Sequence, residues 1–377
     1  MTKSKVLFIG DLNKNLPEYV QFKDKYECIH YTLTTKEQFE KDLSTKFSDI
    51  SAIYAAWLGF VPIGGFRTVI DTAPTSLKVI SFCSVGYDHA DAEVMQARNI
   101  AMTNVPSDGA AEPVADLVTY YTISAFRQFH LYNKQTTLNT LDIRYQLAHG
   151  QLENSSGTVK AGSGKGYHFG ETMCQRPNLS PRGHVVAIVG FGQIGRLIGR
   201  RLNELGMKIK YVKRSKLSKK EEESLGYTAE YFPTIVETQP DLIVIACPAT
   251  PETYHIINDN LISSINKPFR IINIGRGTVI DESALLKGLQ NGKVLFAGLD
   301  VFEEEPKINP EFFSREDVMI TPHVGASTEE NFDYTATQAL KNIDDILSGG
   351  NANDEYAKLM AVYLPQMPTI SQRIVYM

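Results

Sequence analysis

Three side chains in the last third of the sequence are of the types that proton and anion chemistry needs. Arg276 stands in Asn273-Ile274-Gly275-Arg276-Gly277, Glu305 directly precedes Pro306, and His323 stands in Thr321-Pro322-His323-Val324-Gly325. A guanidinium offers a planar fork that binds a carboxylate through two parallel hydrogen bonds. An imidazole changes charge near neutral pH, and a carboxylate beside it orients the ring and favours its cation. Each residue also has a plain reading: Arg276 as a surface ion-pair partner, Glu303-Glu304-Glu305 as an acidic turn, His323 as a loop histidine. Position favours the joint reading. All three follow strand-length apolar runs at Ile271–Ile274, Leu295–Leu299 and Val318–Ile320, and open parallel sheets bind ligands beyond the carboxyl ends of their strands.

Those runs close a longer alternation that begins at Val185–Val189, continues through Gly190-Phe191-Gly192-Gln193-Ile194-Gly195 and enters a helix-like segment from Arg196 to Leu202. Strand, glycine turn and helix start together present amide N–H groups and a helix dipole to a pyrophosphate. Gly190 allows the tight turn, Gly192 lets the backbone approach the phosphates, and Gly195 lets helix and strand pack closely. Alone the motif is weak, and a βα turn without a ligand competes with it. Further strands at Lys208–Val212 and Leu242–Ala246 complete the pattern of a doubly wound parallel sheet with helices on both faces.

The end of Lys208–Val212 bears on which dinucleotide. An NAD site usually carries Asp or Glu there for the ribose hydroxyls; this chain has Lys213-Arg214-Ser215-Lys216. Cations and a hydroxyl suit a 2′-phosphate, so NADP is favoured, with NAD the second choice. A solvated basic loop stays open as a reading of Lys219 and Lys220, while Glu221-Glu222-Glu223 offsets the run and argues against nucleic acid.

Earlier in the chain, Val6–Ile9, Ile50–Ala56 and Val79–Phe82 alternate with helix-length polar segments, the pattern of a small parallel βα domain whose first turn, at Gly10, lacks the fingerprint. After the third run comes Ser84-Val85-Gly86-Tyr87-Asp88, a turn whose backbone N–H groups suit an anion. Trp57, the only tryptophan, follows a strand; a core position is the favoured reading and a wall of the substrate pocket the alternative. A long apolar helix from Glu112 to Phe129 leads into the second domain, and the Gly- and Ser-rich residues 150–182 are expected as a surface excursion.

With 377 residues the chain exceeds one core, so two domains are expected. A net charge of −5 offers no global attraction to nucleic acid or anionic membrane. The four scattered cysteines read as reduced thiols, and no signal-peptide core or membrane-length apolar run is present, so the expected location is cytoplasmic.

These motifs, in this order and over about Ile50 to Leu347, resemble the D-isomer-specific 2-hydroxyacid dehydrogenase family, which includes glyoxylate/hydroxypyruvate reductases and D-mandelate dehydrogenases. Pro181-Arg182-Gly183-His184-Val185 looks most like the fungal D-mandelate branch. The fold class expected is α/β, two Rossmann-like domains with doubly wound parallel sheets and an active-site cleft between them. The expected boundaries are a discontinuous substrate domain, 1–110 plus about 329–377, and a dinucleotide domain, 111–328.

The resemblance implies reduction of a small 2-keto acid, with Arg276 on the carboxylate, His323 as proton donor and Glu305 orienting it. Glu305 is chosen because it precedes Pro306 as in the family; Glu304 is the fallback. Val85 and Gly86 would meet the substrate carboxylate, and Cys247, Pro248, Thr253, Ile274, Asp300, His323 and Gly325 would lie along the cofactor. A homodimer through the cofactor domains is implied as well. Asp116, where Glu is commoner, the long 150–182 excursion and the tail from Asn351 depart from the family pattern. A different class, a dinucleotide-sensing corepressor of the same fold with little turnover, is the alternative.

Overall fold

Long apolar runs make buried strands, and the computed structural model assembles them into two all-parallel sheets. Residues 3–86, 91–134 and 139–349 are described; Tyr87 and Asp88 of the turn motif and the tail from Asn351 lie outside them. The chain divides into two compact units, Met1–Gly109 with Thr328–Met377, and Ala110–Ser327.

In the first unit the strands are β1 (Lys5–Ile9), β2 (Glu27–Tyr31), β3 (Ile50–Ala55), β4 (Val79–Phe82) and β5 (Ala101–Thr103), in the order β2-β1-β3-β4-β5. All pairs are parallel. Two clusters cover the two faces of this sheet. One holds Leu7, Ile53 and Ile80 with Phe39 and Phe66; the other holds Phe8, Tyr54 and Val79 with Ala336, Leu340 and Ile343 from the returning helix Glu329–Leu347. Gly10 turns at φ 89°, where a Cβ would lie 2.3 Å from Ala56 Cβ. Strands β2 and β5 escape the sequence reading because they are sheet edges: β2 buries none of its residues fully and so lacks the continuous apolar run of a central strand. Trp57 is a correction to the favoured reading, since it is 57% exposed just beyond β3 and is no core residue.

The second unit opens with helix Asp108–Arg127, whose first two residues belong to the first unit. The 150–182 excursion carries two small hairpins, β6 (Gln151–Glu153) with β7 (Thr158–Lys160) and β8 (Thr172–Met173) with β9 (Arg176–Pro177). Its Leu152, Met173 and Cys174 share a small core with Leu131 and Leu147 of the preceding helices Phe129–Asn133 and Thr140–Ala148. Arg315 anchors it: the buried guanidinium pairs with Asp317 at 2.9 Å and donates to the carbonyls of Asn154 and Ser155. Those long-range contacts order a segment whose composition reads as loop.

The main sheet then runs β10 (Val185–Val189), β11 (Lys208–Val212), β12 (Ala229–Phe232), β13 (Leu242–Ile245), β14 (Phe269–Asn273), β15 (Val294–Leu299) and β16 (Val318–Ile320). Its order, β12-β11-β10-β13-β14-β15-β16, reverses between β10 and β13. That reversal is the switch point of a doubly wound sheet, where a crevice opens beyond the strand ends. Val186 and Ile188 pack with Ile198 and Leu202 of helix Gln193–Glu204, and with Val118, Tyr121 and Phe126 of helix Asp108–Arg127.

Candidate active site

The glycine turn sits at the switch point. Gly190 has φ 91°, and a Cβ on it would lie 2.6 Å from Cys247 N, across on the loop after β13. A Cβ on Gly195 would lie 2.2 Å from Gly190 O, so helix and turn pack at backbone contact. Beside Gly192, by contrast, a Cβ meets no atom of the described residues within 4 Å. Gly192 caps helix Gln193–Glu204, so Gln193 and Ile194 form its first turn. An open backbone face at a helix start, next to a tight turn, fits a dinucleotide pyrophosphate.

Phe191 is buried and stacks on Tyr211 with ring centroids 4.4 Å apart. The basic residues follow β11: Lys213 is half-buried, while Arg214, Ser215 and Lys216 are exposed. Lys216 Nζ lies 3.4 Å from Glu222 Oε1, and the charge of Arg214 acts on Glu252. On the loop after β13, Cys247 is buried, with its thiol pushed up to about 11 by burial. Thr253 Oγ1 donates to Pro248 O at 2.8 Å and accepts from Thr250 N at 2.8 Å, so it shapes the loop itself.

The three chemical residues emerge from adjacent strands. Asn273, fully buried at the end of β14, accepts from Gly275 N and donates through Nδ2 to Arg276 O, which fixes the turn that presents Arg276. Ile274 lies in that turn, partly buried against the core. Gly277 is required because a Cβ there would fall 1.9 Å from the backbone of Phe302. The Arg276 turn is thereby pressed against the loop that carries Glu305.

Glu305 Oε1 accepts from Phe302 N at 2.9 Å, and Oε2 pairs with His323 Nδ1 at 2.9 Å. Burial pushes the Glu305 carboxyl up, but hydrogen bonds from His323 and Phe302 N–H and the charges of His323 and Arg276 outweigh it, leaving the pKa below its ordinary value. Glu303 faces elsewhere, to His255 Nε2 at 2.6 Å and Glu282 N at 3.1 Å. Of the acidic triplet, Glu305 is the one hydrogen-bonded to His323.

His323 holds φ 55°, a left-handed conformation unusual for a residue with a Cβ. Asp300, buried at the end of β15, spans it: Oδ1 accepts from Thr321 Oγ1 at 2.6 Å and Val324 N at 2.9 Å, and Oδ2 accepts from Gly325 N at 2.9 Å. Tyr121 OH lies 2.8 Å from Thr321 Oγ1. The sequence reading missed Tyr121 and Thr321 as supports, and no local signal in helix Asp108–Arg127 sets Tyr121 apart. Gly325 is buried under Asp300, 2.8 Å from Asp300 Oδ2 by the position of a Cβ.

Val85, Gly86 and Trp57 belong to the first unit. There Ser84 Oγ donates to Gly86 O at 2.8 Å and Asn104 Nδ2 to Val85 O at 2.9 Å, so both carbonyls of that turn are held by side chains. Among the described residues no cluster of His, Cys, Asp or Glu could hold a metal ion, and no helix is long and apolar enough to cross a membrane.

Comparison with known proteins bears on the family and the fold. The model of the D-isomer specific 2-hydroxyacid dehydrogenase NAD binding domain matches residues 151–325. A Saccharomyces cerevisiae chain provisionally named as 2-hydroxyacid dehydrogenase YGL185C is 32% identical over 389 residues, covering 94% of this chain and 96% of that one. The holo form of Rhodotorula graminis D-mandelate dehydrogenase superposes with a TM-score of 0.77 at 28% identity, covering 94% of this chain and 97% of that one. An NADPH-dependent glyoxylate/hydroxypyruvate reductase of Sinorhizobium meliloti, solved with NADP and malonate, gives 0.70 at 25% identity and covers 93% and 96%.

Proposed function

The chain belongs to the D-isomer-specific 2-hydroxyacid dehydrogenase family, oxidoreductases acting on CH–OH donors, and from that premise we propose that it reduces a small 2-keto acid to the D-2-hydroxy acid with NADP as cofactor. The observation that carries the reading is the 2.9 Å pairing of His323 Nδ1 with Glu305 Oε2, within range of the charge of Arg276, beyond the ends of neighbouring strands. Glycolate, glycerate or an aromatic hydroxy acid such as mandelate are the products to test, since similar proteins are named for glyoxylate, hydroxypyruvate and mandelate.

A nicotinamide dinucleotide held by Gly190–Gly195 would supply the hydride that adds to the keto carbon. Arg276 binds the substrate carboxylate through its fork and polarises the keto oxygen. With Nδ1 turned to Glu305, the opposite nitrogen, Nε2, passes its proton to that oxygen as the carbonyl π bond breaks. Glu305 keeps the ring in the one orientation that presents Nε2 and compensates its positive charge. In the oxidative direction His323 takes the proton back.

The NADP preference is supported by Lys213, Arg214, Ser215 and Lys216 standing where a ribose-binding carboxylate would otherwise stand. A homodimer through the second unit is part of the same reading; Tyr167 and Phe169 of the excursion, 70% and 74% exposed, are apolar surface that such a contact would bury. Four free cysteines fit the reducing cytoplasm.

The test is a panel of glyoxylate, hydroxypyruvate and benzoylformate with NADPH and NADH. His323→Ala is expected to abolish reduction while NADPH still quenches or shifts its fluorescence on binding; full turnover in that variant overturns the proton-donor role. Arg214→Ala is expected to lower kcat/KM for NADPH far more than for NADH, and a wild-type preference for NADH refutes the cofactor assignment.

A further inference from the structure

The basic loop is tied back to the glycine turn by a ring of contacts that the phosphate-binding residues do not require for themselves. At its start, Val212 O accepts from Gly190 N at 2.9 Å. At its end, Leu217 is buried and its N–H donates to Tyr211 OH at 3.1 Å, the ring of Tyr211 lying on Phe191 of the turn. Ser218 then caps the short helix Lys219–Ser224 in a capping box with Glu221, whose Oε2 accepts from Ser218 N at 2.8 Å and Oγ at 2.7 Å. The other oxygen of Glu221 accepts from Arg196 Nη2 at 2.7 Å. Arg196 lies in the first turn of the fingerprint helix, its Nε donating to Phe191 O at 3.4 Å and its carbonyl accepting from Tyr227 OH at 2.6 Å.

Resting on the dinucleotide reading of this site, we infer that the Arg196–Glu221 ion pair is a positioning device for cofactor selectivity, holding Lys213–Lys216 at a set distance from the pyrophosphate turn. Neither residue carries charge to the 2′-phosphate itself. Their partners explain why: Arg196 is satisfied by Glu221 and Phe191 O, and Glu221 by Ser218 and Arg196. Helix Lys219–Ser224 buries none of its six residues, so packing does little to hold it, and the pair with Leu217 takes that part. A half-exposed pair adds little to global stability, yet it decides where the four loop residues stand. Two phosphate sites on one ligand must be a fixed distance apart for both to be engaged, so a loop free to drift weakens the 2′-phosphate contact and leaves the pyrophosphate contact intact.

Glu221→Gln isolates the pair, because Gln at this position still reaches back to the Ser218 N–H but no longer attracts Arg196. The variant is expected to lower the ratio of kcat/KM for NADPH to that for NADH about fivefold, the scale of a partly exposed ion pair. Isothermal titration is expected to show the Kd for 2′,5′-ADP rising by about the same factor with that for ADP little changed. Arg196→Met is expected to reproduce both effects. An unchanged ratio in a wild-type background that prefers NADPH overturns the inference, and so does an equal loss of 2′,5′-ADP and ADP binding, which marks a general structural role. A wild-type protein that binds 2′,5′-ADP no better than ADP instead refutes the NADP assignment on which the inference stands.

Discussion

Replacing Asp300 by Asn changes no volume and keeps one oxygen, yet it should disable the turn that presents His323. The carboxylate takes three donors, Thr321 Oγ1, Val324 N and Gly325 N, at 2.6, 2.9 and 2.9 Å. The hydroxyl can reverse and accept from an amide; the two backbone N–H groups cannot. Whichever way the Asn amide turns, its NH2 confronts one of them, leaving that N–H without an acceptor and the amide without a use for its own proton. An unsatisfied buried donor costs about 1–3 kcal/mol, and exchanging a charged acceptor for a neutral one weakens the bond that remains. The total is about 3 kcal/mol, set against a left-handed His323 whose conformation already costs about 1–3 kcal/mol. The turn is then expected to relax, and at about 1.4 kcal/mol per factor of ten the population with His323 in place falls by about 10²-fold. The assay is kcat for the best keto acid with saturating NADPH, alongside NADPH binding followed by fluorescence. A kcat within about twofold of wild type refutes the reasoning. Loss of NADPH affinity with kcat preserved refutes it differently, by placing Asp300 on the cofactor, the role the family resemblance implied.

Gly195→Ala should abolish dinucleotide binding in a protein that still folds its first unit, because the added Cβ meets Gly190 O at 2.2 Å and backbone must move; titration with NADPH measures it, and wild-type affinity would refute the packing role. The pH dependence has a defined sign. The folded pKa of Glu305 lies below its ordinary 4.5, so the stability contributed by the Glu305–His323 pair is complete above that value and is lost as pH falls through the lower folded pKa. Glu305→Gln should therefore lower stability in the neutral range, where that contribution is complete, and lose less on acidification, so that the two proteins converge in acid; urea midpoint against pH measures it, and an acid limb as steep as that of wild type would count against the pairing.

How much was legible before folding follows from how local each signal is. The central strands β10 and β13 are continuous apolar runs because both faces of the sheet are covered, so they could be read directly, and β11 and β14 through the apolar residues at Ile209, Tyr211 and Val212 and at Ile271 and Ile272. The edges β2, β5 and β12 could not, since a half-exposed strand mixes polar and apolar residues and resembles a loop. The 150–182 excursion could be read as a surface excursion but its order could not, since that comes with Arg315, more than a hundred residues away in sequence. Trp57 misled because size favours burial on average, while this one stands outside the sheet.

Residue type and strand-end position were enough to nominate Arg276, the acidic triplet Glu303–Glu305 and His323, with the family resemblance choosing Glu305, because fork, carboxylate and imidazole are properties of single side chains and strand ends are local. Which carboxylate of the acidic triplet meets the imidazole, how His323 is held at φ 55°, and what ties the basic loop to the glycine turn depend on distances between residues far apart in sequence. Those distances exist only once β14, β15 and β16 lie side by side and helix Gln193–Glu204 is packed on β10, because hydrogen bonds and ion pairs act over about 3 Å and no spacing along the chain encodes them.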